Sequence, residues 1–239
     1  MSATAAIWHD VECGAYAADL PLWEELAVRQ GGPVLELGCG TGRVALHLAR
    51  RGHEVTGLDR DEELLGVLEQ RAEGLNLSSH RADARDFELR RQFGLVLAPT
   101  HLLQLLPERE ERSECLRCVA AALRPGGLLA AAIIEAMPEP DGAPPPLPDV
   151  REVDGWVYSS LAVEAAIGEG EIVIRRLRQA VSPEGELSEE PNEVRIATFS
   201  ASSLEADAET AGLRPASRLE IPETDLHVGS IAVLLERAP

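Results

Sequence analysis

Short apolar runs alternate with stretches of helical periodicity along the first 135 residues of the chain. The run at 33–37 (PVLEL) is typical of a buried strand. Similar runs follow at 53–58, 75–79, 93–98 and 128–135. Helical spacing appears at 20–29, 41–51, 61–72 and 108–123, with Asp61 as a predicted N-cap. This alternation predicts a parallel sheet with crossover helices on both faces.

The pattern changes after position 136. Six prolines exclude regular structure from 137–148, namely Pro138, Pro140, Pro144, Pro145, Pro146 and Pro148. Period-two alternation then predicts an antiparallel meander at 156–165, 171–181 and 194–200. A helix that starts at Ser202 or Ser203 and reaches Ala211 precedes two last strands, 217–221 and 229–236. The meander is thus an insertion after the fifth strand of an α/β sheet.

The charged residues exclude several kinds of chemistry. All 22 basic residues are arginine, so the chain has no phosphate-loop lysine and no lysine for a pyridoxal Schiff base or a serine–lysine hydrolase. With 41 acidic residues the net charge is −19, which disfavours nucleic acid as a partner.

The N-terminus lacks the pattern of a secretory signal, and no apolar run is long enough to span a membrane. The four cysteines are too scattered for a disulfide scaffold. We therefore expect a cytoplasmic protein without a membrane partner. Cys115 and Cys118 have C-x-x-C spacing, but with no second pair we expect helix packing and no metal.

A glycine-rich loop, Gly38-Cys-Gly-Thr-Gly42, separates the first strand from the next helix. Glycines at this position let the backbone close on a ligand at a helix N-terminus. The dinucleotide fingerprint G-x-G-x-x-G requires a third glycine where this chain has Arg43. The observed form is G-x-G-x-G, with Glu36 two residues before it.

This segment resembles motif I of the class I S-adenosylmethionine-dependent methyltransferases, and the resemblance extends over about 16–135. It implies that Asp59, at the end of the second strand, binds both ribose hydroxyls. It also implies that Asp83 receives the adenine amino group and that the Ala84 amide meets a ring nitrogen.

The resemblance assigns further residues to the cofactor. Glu36 would orient the loop near the methionyl amino group, the Ala98 carbonyl would meet that group, and Tyr16 would reach the methionyl carboxylate. The loop residues Gly38, Cys39, Gly40, Gly42 and Arg43, together with Arg60, complete the predicted S-adenosylmethionine site. The implied fold is a Rossmann-like, seven-stranded, mostly parallel sheet with helices on both faces and a C-terminal antiparallel hairpin. We expect a single domain over 1–239 that contains the insertion at 137–200.

The methyl acceptor is expected beyond the fourth strand, near 99–104, with the insertion as a lid. His101 is the candidate general base, although packing or capping is the favoured explanation of a histidine at this position. Thr100, Gln104 and Glu135 are candidates for orienting an acceptor. The segment Ala98-Pro-Thr-His101 lacks the second proline and the aromatic residue of the nucleic-acid amino-methylating box, which favours a small-molecule acceptor.

The predicted activity is N- or O-methylation of a small molecule by in-line displacement. Two alternatives stay open: a non-catalytic protein that binds the same cofactor, and a NAD(P)-dependent oxidoreductase, against which Arg43 argues. A homodimer is an open possibility.

Overall fold

The structure is a computed structural model that describes residues 5–135, 147–224 and 227–238. The elements of the N-terminal half are α1 (Ala5–Cys13), α2 (Leu20–Gln30), β1 (Val34–Leu37), α3 (Arg43–Arg50), β2 (Val55–Asp59), α4 (Glu62–Arg71), β3 (Leu77–Arg81), β4 (Phe93–Ala98), a 3-10 turn (Leu102–Leu105), α5 (Arg109–Ala122) and β5 (Leu123–Ile133). Those of the C-terminal half are β6 (Asp149–Val153), β7 (Trp156–Ile167), β8 (Glu171–Val181), β9 (Leu187–Ala197), α6 (Ala201–Thr210), β10 (Leu213–Ile221) and β11 (Ser230–Arg237). None of the helices in these ranges has the length and apolar character needed to cross a membrane.

The larger sheet has the strand order β10-β11-β5-β4-β1-β2-β3. Its strands β1 to β5 pair in parallel, and β11 runs antiparallel to both β5 and β10. The predicted seven-stranded, mostly parallel sheet with a C-terminal antiparallel hairpin is therefore confirmed. Every residue of β1 and β4 is buried, as expected for central strands covered on both faces. Trp23 and Leu48 from α2 and α3 pack on one face, while Leu116 and Leu204 from α5 and α6 pack on the other.

The strand order reverses between β1 and β4. The chain proceeds outward from β1 through β2 to the edge strand β3, then returns to the opposite side of β1 as β4. Connections leave in opposite directions at such a point, and the carboxyl ends of the strands there form a crevice that binds ligands in open α/β sheets. The loops after β1, β2, β3 and β4 thus converge on one edge of the sheet.

The insertion after β5 forms a second sheet with the order β6-β7-β8-β9, antiparallel throughout. Its β7 and β8 agree with the predicted strands. The third predicted strand, at 194–200, is misplaced: β9 begins at Leu187 and ends at Ala197. The acidic run Glu189–Glu190 and Pro191 hide the alternation there, because β9 is an edge strand whose residues 187–191 are exposed. β6 was not predicted, and of the proline-rich stretch 137–148 only Leu147 and Pro148 lie among the described residues.

Among the helices, one predicted N-cap is wrong, one helix was not predicted, and one predicted N-cap is confirmed. The helix α6 is capped by Ser200, whose hydroxyl accepts a hydrogen bond from the Ser203 amide at 3.1 Å, and not by Ser202 or Ser203. The helix α1 was not predicted, because its buried positions include the polar Asp10 and do not form a clean apolar stripe. Asp61 caps α4 as expected and accepts hydrogen bonds from the amides of Glu63 and Leu64.

Candidate functional site

The glycine loop between β1 and α3 lies at the crevice, and its shape requires glycine. Gly38, Gly40 and Gly42 have φ values of 62°, 53° and 94°, in the left-handed region. A Cβ on Gly38 would lie 2.6 Å from a methyl carbon of Leu102, and one on Gly40 would lie 2.2 Å from Nε2 of His9. The loop backbone is therefore pressed between α1 and the turn after β4, with no room for side chains.

Asp59 ends β2 beside this loop, and two backbone amides fix its carboxylate. Its Oδ2 accepts a hydrogen bond from the Gly40 amide and its Oδ1 accepts one from the Asp61 amide, both at 2.9 Å. An ionised carboxylate has about four acceptor positions. Two of them stay open toward the crevice, the number that a pair of vicinal hydroxyls requires.

Asp83 follows β3 and is held by Arg85. The guanidinium of Arg85 donates to Asp83 Oδ1 at 2.9 Å and to Oδ2 at 2.7 Å, and the Arg85 amide donates to Oδ1 as well. These hydrogen bonds lower the pKa of Asp83 to about 2, so the carboxylate is ionised at neutral pH. Arg85 also binds Glu111 of α5, which anchors the pair to the protein body. Only Oδ2 keeps an unused acceptor position, which suits a single N–H donor.

These residues surround a cavity of about 230 Å³. Gly38, Asp59, Arg60, Asp83 and Ala84 all line it, so the structure brings five of the predicted cofactor residues together. Leucine side chains supply its apolar wall, namely Leu58, Leu102, Leu105 and Leu106. Two acceptor carboxylates beside an apolar slot fit a nucleoside, whose sugar is polar and whose base is flat.

Glu36 and Cys39 lie beneath the loop. Glu36 is 2% exposed, and its Oε2 has no hydrogen-bond partner among the described residues. Burial raises its pKa to about 8, although Arg43 acts in the opposite direction. Cys39 is also buried, and its thiol packs beside Gly57 and Leu68 in the core. Only the backbone of Cys39 is thus available to a ligand, whereas Glu36 has an unused polar oxygen.

Arg43 ties three segments together at the start of α3. It forms two hydrogen bonds with Asp19, at 2.6 and 2.7 Å, and donates to the Tyr16 carbonyl and the Thr100 hydroxyl at 2.9 Å each. Its guanidinium carbon lies 5.1 Å from the centre of the Tyr16 ring, which also packs on His227. A second cavity next to the loop is lined by Tyr16, Gly42 and Arg43. These three residues do not line the cavity of about 230 Å³ that contains Asp59 and Asp83, which we call the nucleoside-shaped cavity. All four terminal N–H groups of Arg43 are engaged.

His101 and Thr100 follow β4 in an unusual backbone conformation. Both have positive φ, 53° for Thr100 and 62° for His101, which costs about 1–3 kcal/mol for a residue other than glycine. Ala98, the end of β4, is fully buried just before them. Burial lowers the pKa of His101 to about 4, against the effects of Asp19 and the Ala132 backbone. Its Nδ1 has no hydrogen-bond partner in the described parts of the chain. The imidazole is thus neutral at pH 7 and is a weak base.

The other candidates for orienting an acceptor have structural partners. The amide of Gln104 is fully buried and bonds to the backbone of Ile134 and Ala197, so that prediction is wrong. Glu135 accepts a hydrogen bond from the Ala201 amide at 2.6 Å, in the first turn of α6. Thr100 accepts from Arg43 and stays partly available at the end of β4.

His9 of α1 is a cavity residue that sequence reasoning missed. It lines the nucleoside-shaped cavity and lies against Gly40. Thr41 donates its single hydroxyl proton to Asp10 at 2.6 Å, so Nδ1 of His9 must donate to Thr41 across the 3.1 Å contact. Nε2 is then an acceptor that faces the loop. Burial lowers the pKa of His9, which favours this neutral form. No sequence motif surrounds His9. Its two neighbours, Trp8 and Asp10, are both buried, and this burial is the local feature that points to a role for His9 in the interior.

The same helix contacts the second sheet. Glu12 accepts hydrogen bonds from Ser160 at 2.8 Å and from Arg178 at 2.7 and 2.9 Å. Trp8 packs edge-on against Tyr158, with ring centres 5.5 Å apart. Arg176 and Arg178 share the α1 face of β8 as the alternation predicts, and Arg175 lies on the other face. The helix α1 therefore joins the glycine loop to the insertion.

Comparison with known proteins agrees with this geometry. Residues 34–127 match the family model described as a methyltransferase domain. A putative methyltransferase of Bacillus subtilis, YqeM, is 32% identical over 111 residues, which are 45% of this chain and 44% of that protein. A sugar N,N-dimethyltransferase of Streptomyces venezuelae, named for dTDP-3-amino-3,4,6-trideoxy-alpha-D-glucopyranose, is 25% identical over 84% of this chain and 83% of its own length. The alignments with the first two curated relatives cover 44% and 40% of those proteins, so the chain spans less than half of their length.

Solved structures share the whole fold. The crystal structure of Streptomyces venezuelae DesVI aligns with this chain at a TM-score of 0.76 and 20% sequence identity, and the alignment covers 100% of both chains. The sugar N-methyltransferase KedS8 from Streptoalloteichus has the same TM-score at 19% identity, over 100% of this chain and 94% of that protein. The family match covers β1 to the start of β5, which carries the glycine loop, Asp59 and Asp83. The chain therefore has the mostly parallel α/β fold of these solved methyltransferases, and its residues 34–127 match the methyltransferase domain model.

Proposed function

We propose that this protein transfers a methyl group from S-adenosylmethionine to a nitrogen or oxygen atom of a small molecule. The observation that carries the proposal is the cavity after β1, β2 and β3, where two fixed carboxylates face an apolar slot. The residues fit the cofactor, because each carboxylate keeps the acceptor positions that a ribose diol and an exocyclic amine need. S-adenosylmethionine supplies an electrophilic methyl group on a sulfonium centre.

The chain's own residues bind and orient. Asp59 holds the sugar through its two free acceptor positions, Asp83 receives the amino group of the base, and the Ala84 amide lies next to it. The leucines around the slot exclude water from the base. Glu36 is the polar group beneath the loop on the side of the amino-acid portion. Its buried and unpaired Oε2 supports that role.

The acceptor side lies beyond β4, where Thr100 and His101 are fixed. Displacement at a sulfonium methyl depends chiefly on placing the nucleophile in line, so positioning is the main requirement. A histidine with a pKa of about 4 removes protons poorly at pH 7. We therefore propose that His101 positions the acceptor, and that the second sheet covers it.

An amine is the favoured acceptor. The relative that aligns over most of this chain is named as a sugar N,N-dimethyltransferase, and its named substrate carries an amino group on the ring. An amine with an available lone pair needs no strong base during attack, in keeping with the weak basicity of His101. The cytoplasmic location and the homodimer stay predictions.

Calorimetry and turnover test the proposal. We expect S-adenosylmethionine and S-adenosylhomocysteine to bind the purified protein and NADH not to bind. Isotope-labelled cofactor with pools of small amines should transfer label, and the same pools with blocked amino groups should not. Tight NADH binding would support the oxidoreductase alternative, and binding without transfer to any pool would support a non-catalytic role.

A variant at position 101 tests the assignment of His101. His101→Ala should lower kcat by less than about tenfold and raise KM, because a lost positioning contact weakens acceptor binding. A larger loss of kcat that follows an ionisation in the pH profile would show that His101 transfers a proton.

A further inference from the structure

The second cavity, of about 270 Å³, adjoins a different part of the glycine loop from the nucleoside-shaped one. Thr41 and Gly42 line it, whereas Gly38 lines the other, and the neighbouring residues His9 and Asp10 face one cavity each. The two cavities have no described lining residue in common. The two cavities are thus lined by different residues of the loop and of α1.

Arginines dominate the lining of this second cavity. They come from α3, α4 and β6, and are Arg43, Arg50, Arg51, Arg71 and Arg151. Among the described lining residues, Asp10 is the only carboxylate. A chain with a net charge of −19 repels anions over most of its surface. The guanidinium groups around this cavity therefore form a local region of positive electrostatic potential.

Two of these arginines are neutralised by carboxylates outside the cavity. Arg43 pairs with Asp19, and Arg51 pairs with Glu24 at 2.6 Å.

The other three share a single carboxylate. Arg71 donates twice to Asp10, and Arg151 lies 3.2 Å from the same carboxylate. Arg50 is exposed and forms no ion pair within the described ranges. Burial opposes the ionisation of Asp10, but hydrogen bonds from Arg71 and Thr41 keep its pKa below the usual value. Three guanidinium groups thus face one negative charge, which leaves an excess of two positive charges.

We propose that this cavity binds a small phosphate dianion, either inorganic phosphate or the phosphate group of a monoester. A phosphate dianion matches the excess charge, and guanidinium groups bind phosphate oxygens through paired N–H donors. Arg71 is held in place by Asp10, and Arg50 keeps all five of its donors. Arg43 takes no part in this binding, because its terminal donors are already engaged.

Isothermal titration of the full chain with inorganic phosphate tests the proposal, with sodium chloride of equal ionic strength as the blank. Saturating S-adenosylhomocysteine is present so that the cofactor site is closed to phosphate. We expect saturable binding of one phosphate per chain. Glycerol 1-phosphate in a parallel titration distinguishes the sources: tighter binding than inorganic phosphate identifies a monoester as the ligand, and weaker binding identifies the free ion.

Variants locate the binding. Arg50→Gln should weaken phosphate binding about tenfold, and Arg50→Gln with Arg151→Gln should abolish it; both side chains are partly or fully exposed, so folding should persist. Arg29→Gln, an exposed arginine on α2 outside the cavity, is the matched control and should bind phosphate as the wild type does. Absence of saturable binding, loss of binding whenever S-adenosylhomocysteine is present, or equal weakening by Arg29→Gln would each overturn the proposal. Calorimetry with S-adenosylmethionine alone reports on the methyltransferase site independently.

Discussion

The two sheets of this protein are stabilised by different interactions. Strands β1 and β4 of the parallel sheet are buried along their whole length. In the antiparallel sheet, one face is open to solvent and carries ion pairs such as Arg175 with Glu164 and Glu193. Burying one leucine side chain contributes about 1.5–3 kcal/mol, whereas an exposed ion pair contributes about 0–1 kcal/mol. The parallel sheet is therefore the rigid support, and the second sheet depends on what attaches it.

The helix α1 provides that attachment. His9 faces the glycine loop of the parallel sheet, and Glu12, three residues later, binds Ser160 and Arg178 of the antiparallel sheet. The comparison teaches that the proposed cofactor residues are positioned by buried strands, whereas the second sheet is attached by a few polar contacts. Substitutions in the two regions should thus affect different properties.

The largest effect is expected at Asp59, on the parallel sheet. Asp59→Ala removes the acceptors for two hydroxyl groups, so S-adenosylmethionine affinity should fall by roughly 2–4 kcal/mol, about 30- to 1000-fold. Calorimetry measures the change, with the exposed Glu25→Ala on α2 as the control. Unchanged affinity would mean that the sugar binds elsewhere.

The next effect tests the attachment of the second sheet. Glu12→Gln leaves Arg178 with only the more distant carboxylate of Glu190, at 3.8 Å, and the free energy of unfolding should fall by about 2–3 kcal/mol. Urea denaturation measures this, and cofactor affinity should change far less than in Asp59→Ala. An equal loss of both would show that the two regions are not separable.

The buried Glu36 predicts a pH dependence that belongs to the parallel sheet. Its folded pKa of about 8 lies above the usual value, so the native state binds a proton that the unfolded state lacks, and stability falls as the pH rises. The slope should be about −1.4 kcal/mol per pH unit near pH 6.5–7 and shrink to about half of that at pH 8, where the native carboxyl group is half deprotonated. Below that window His101, whose pKa is lowered, acts in the opposite direction. Urea denaturation of the wild type and Glu36→Gln at three pH values checks this; an identical slope in both would contradict it.

The smallest effect is expected on the open face of the second sheet. Glu164→Gln removes one exposed partner of Arg175, and the free energy of unfolding should change by about 0–1 kcal/mol. The effect should disappear at high salt, because ions screen exposed charges. A loss as large as that of Glu12→Gln would remove the distinction between attached and open faces.

The sequence predicted the parallel sheet well, and also the positions of Asp59 and Asp83 at its strand ends, because burial and turn chemistry leave local signals; their roles stay predictions. The run 93–98 is continuous and apolar, the glycines at 38, 40 and 42 all need positive φ, and Asp61 is an ordinary N-cap. Other features are tertiary. His9 becomes a cavity residue only because α1 folds back onto Gly40, and Gln104 satisfies two distant backbone segments that local sequence cannot reveal.

The left-handed pair after β4 has a consequence for protein engineering. Glycine at position 100 would relax the backbone and raise the melting temperature, since threonine is among the residues least suited to that conformation. The same replacement would delete the hydroxyl that accepts a hydrogen bond from Arg43 and would loosen the neighbouring imidazole. Thermal stability and the proposed positioning role of His101 thus place opposite demands on residue 100.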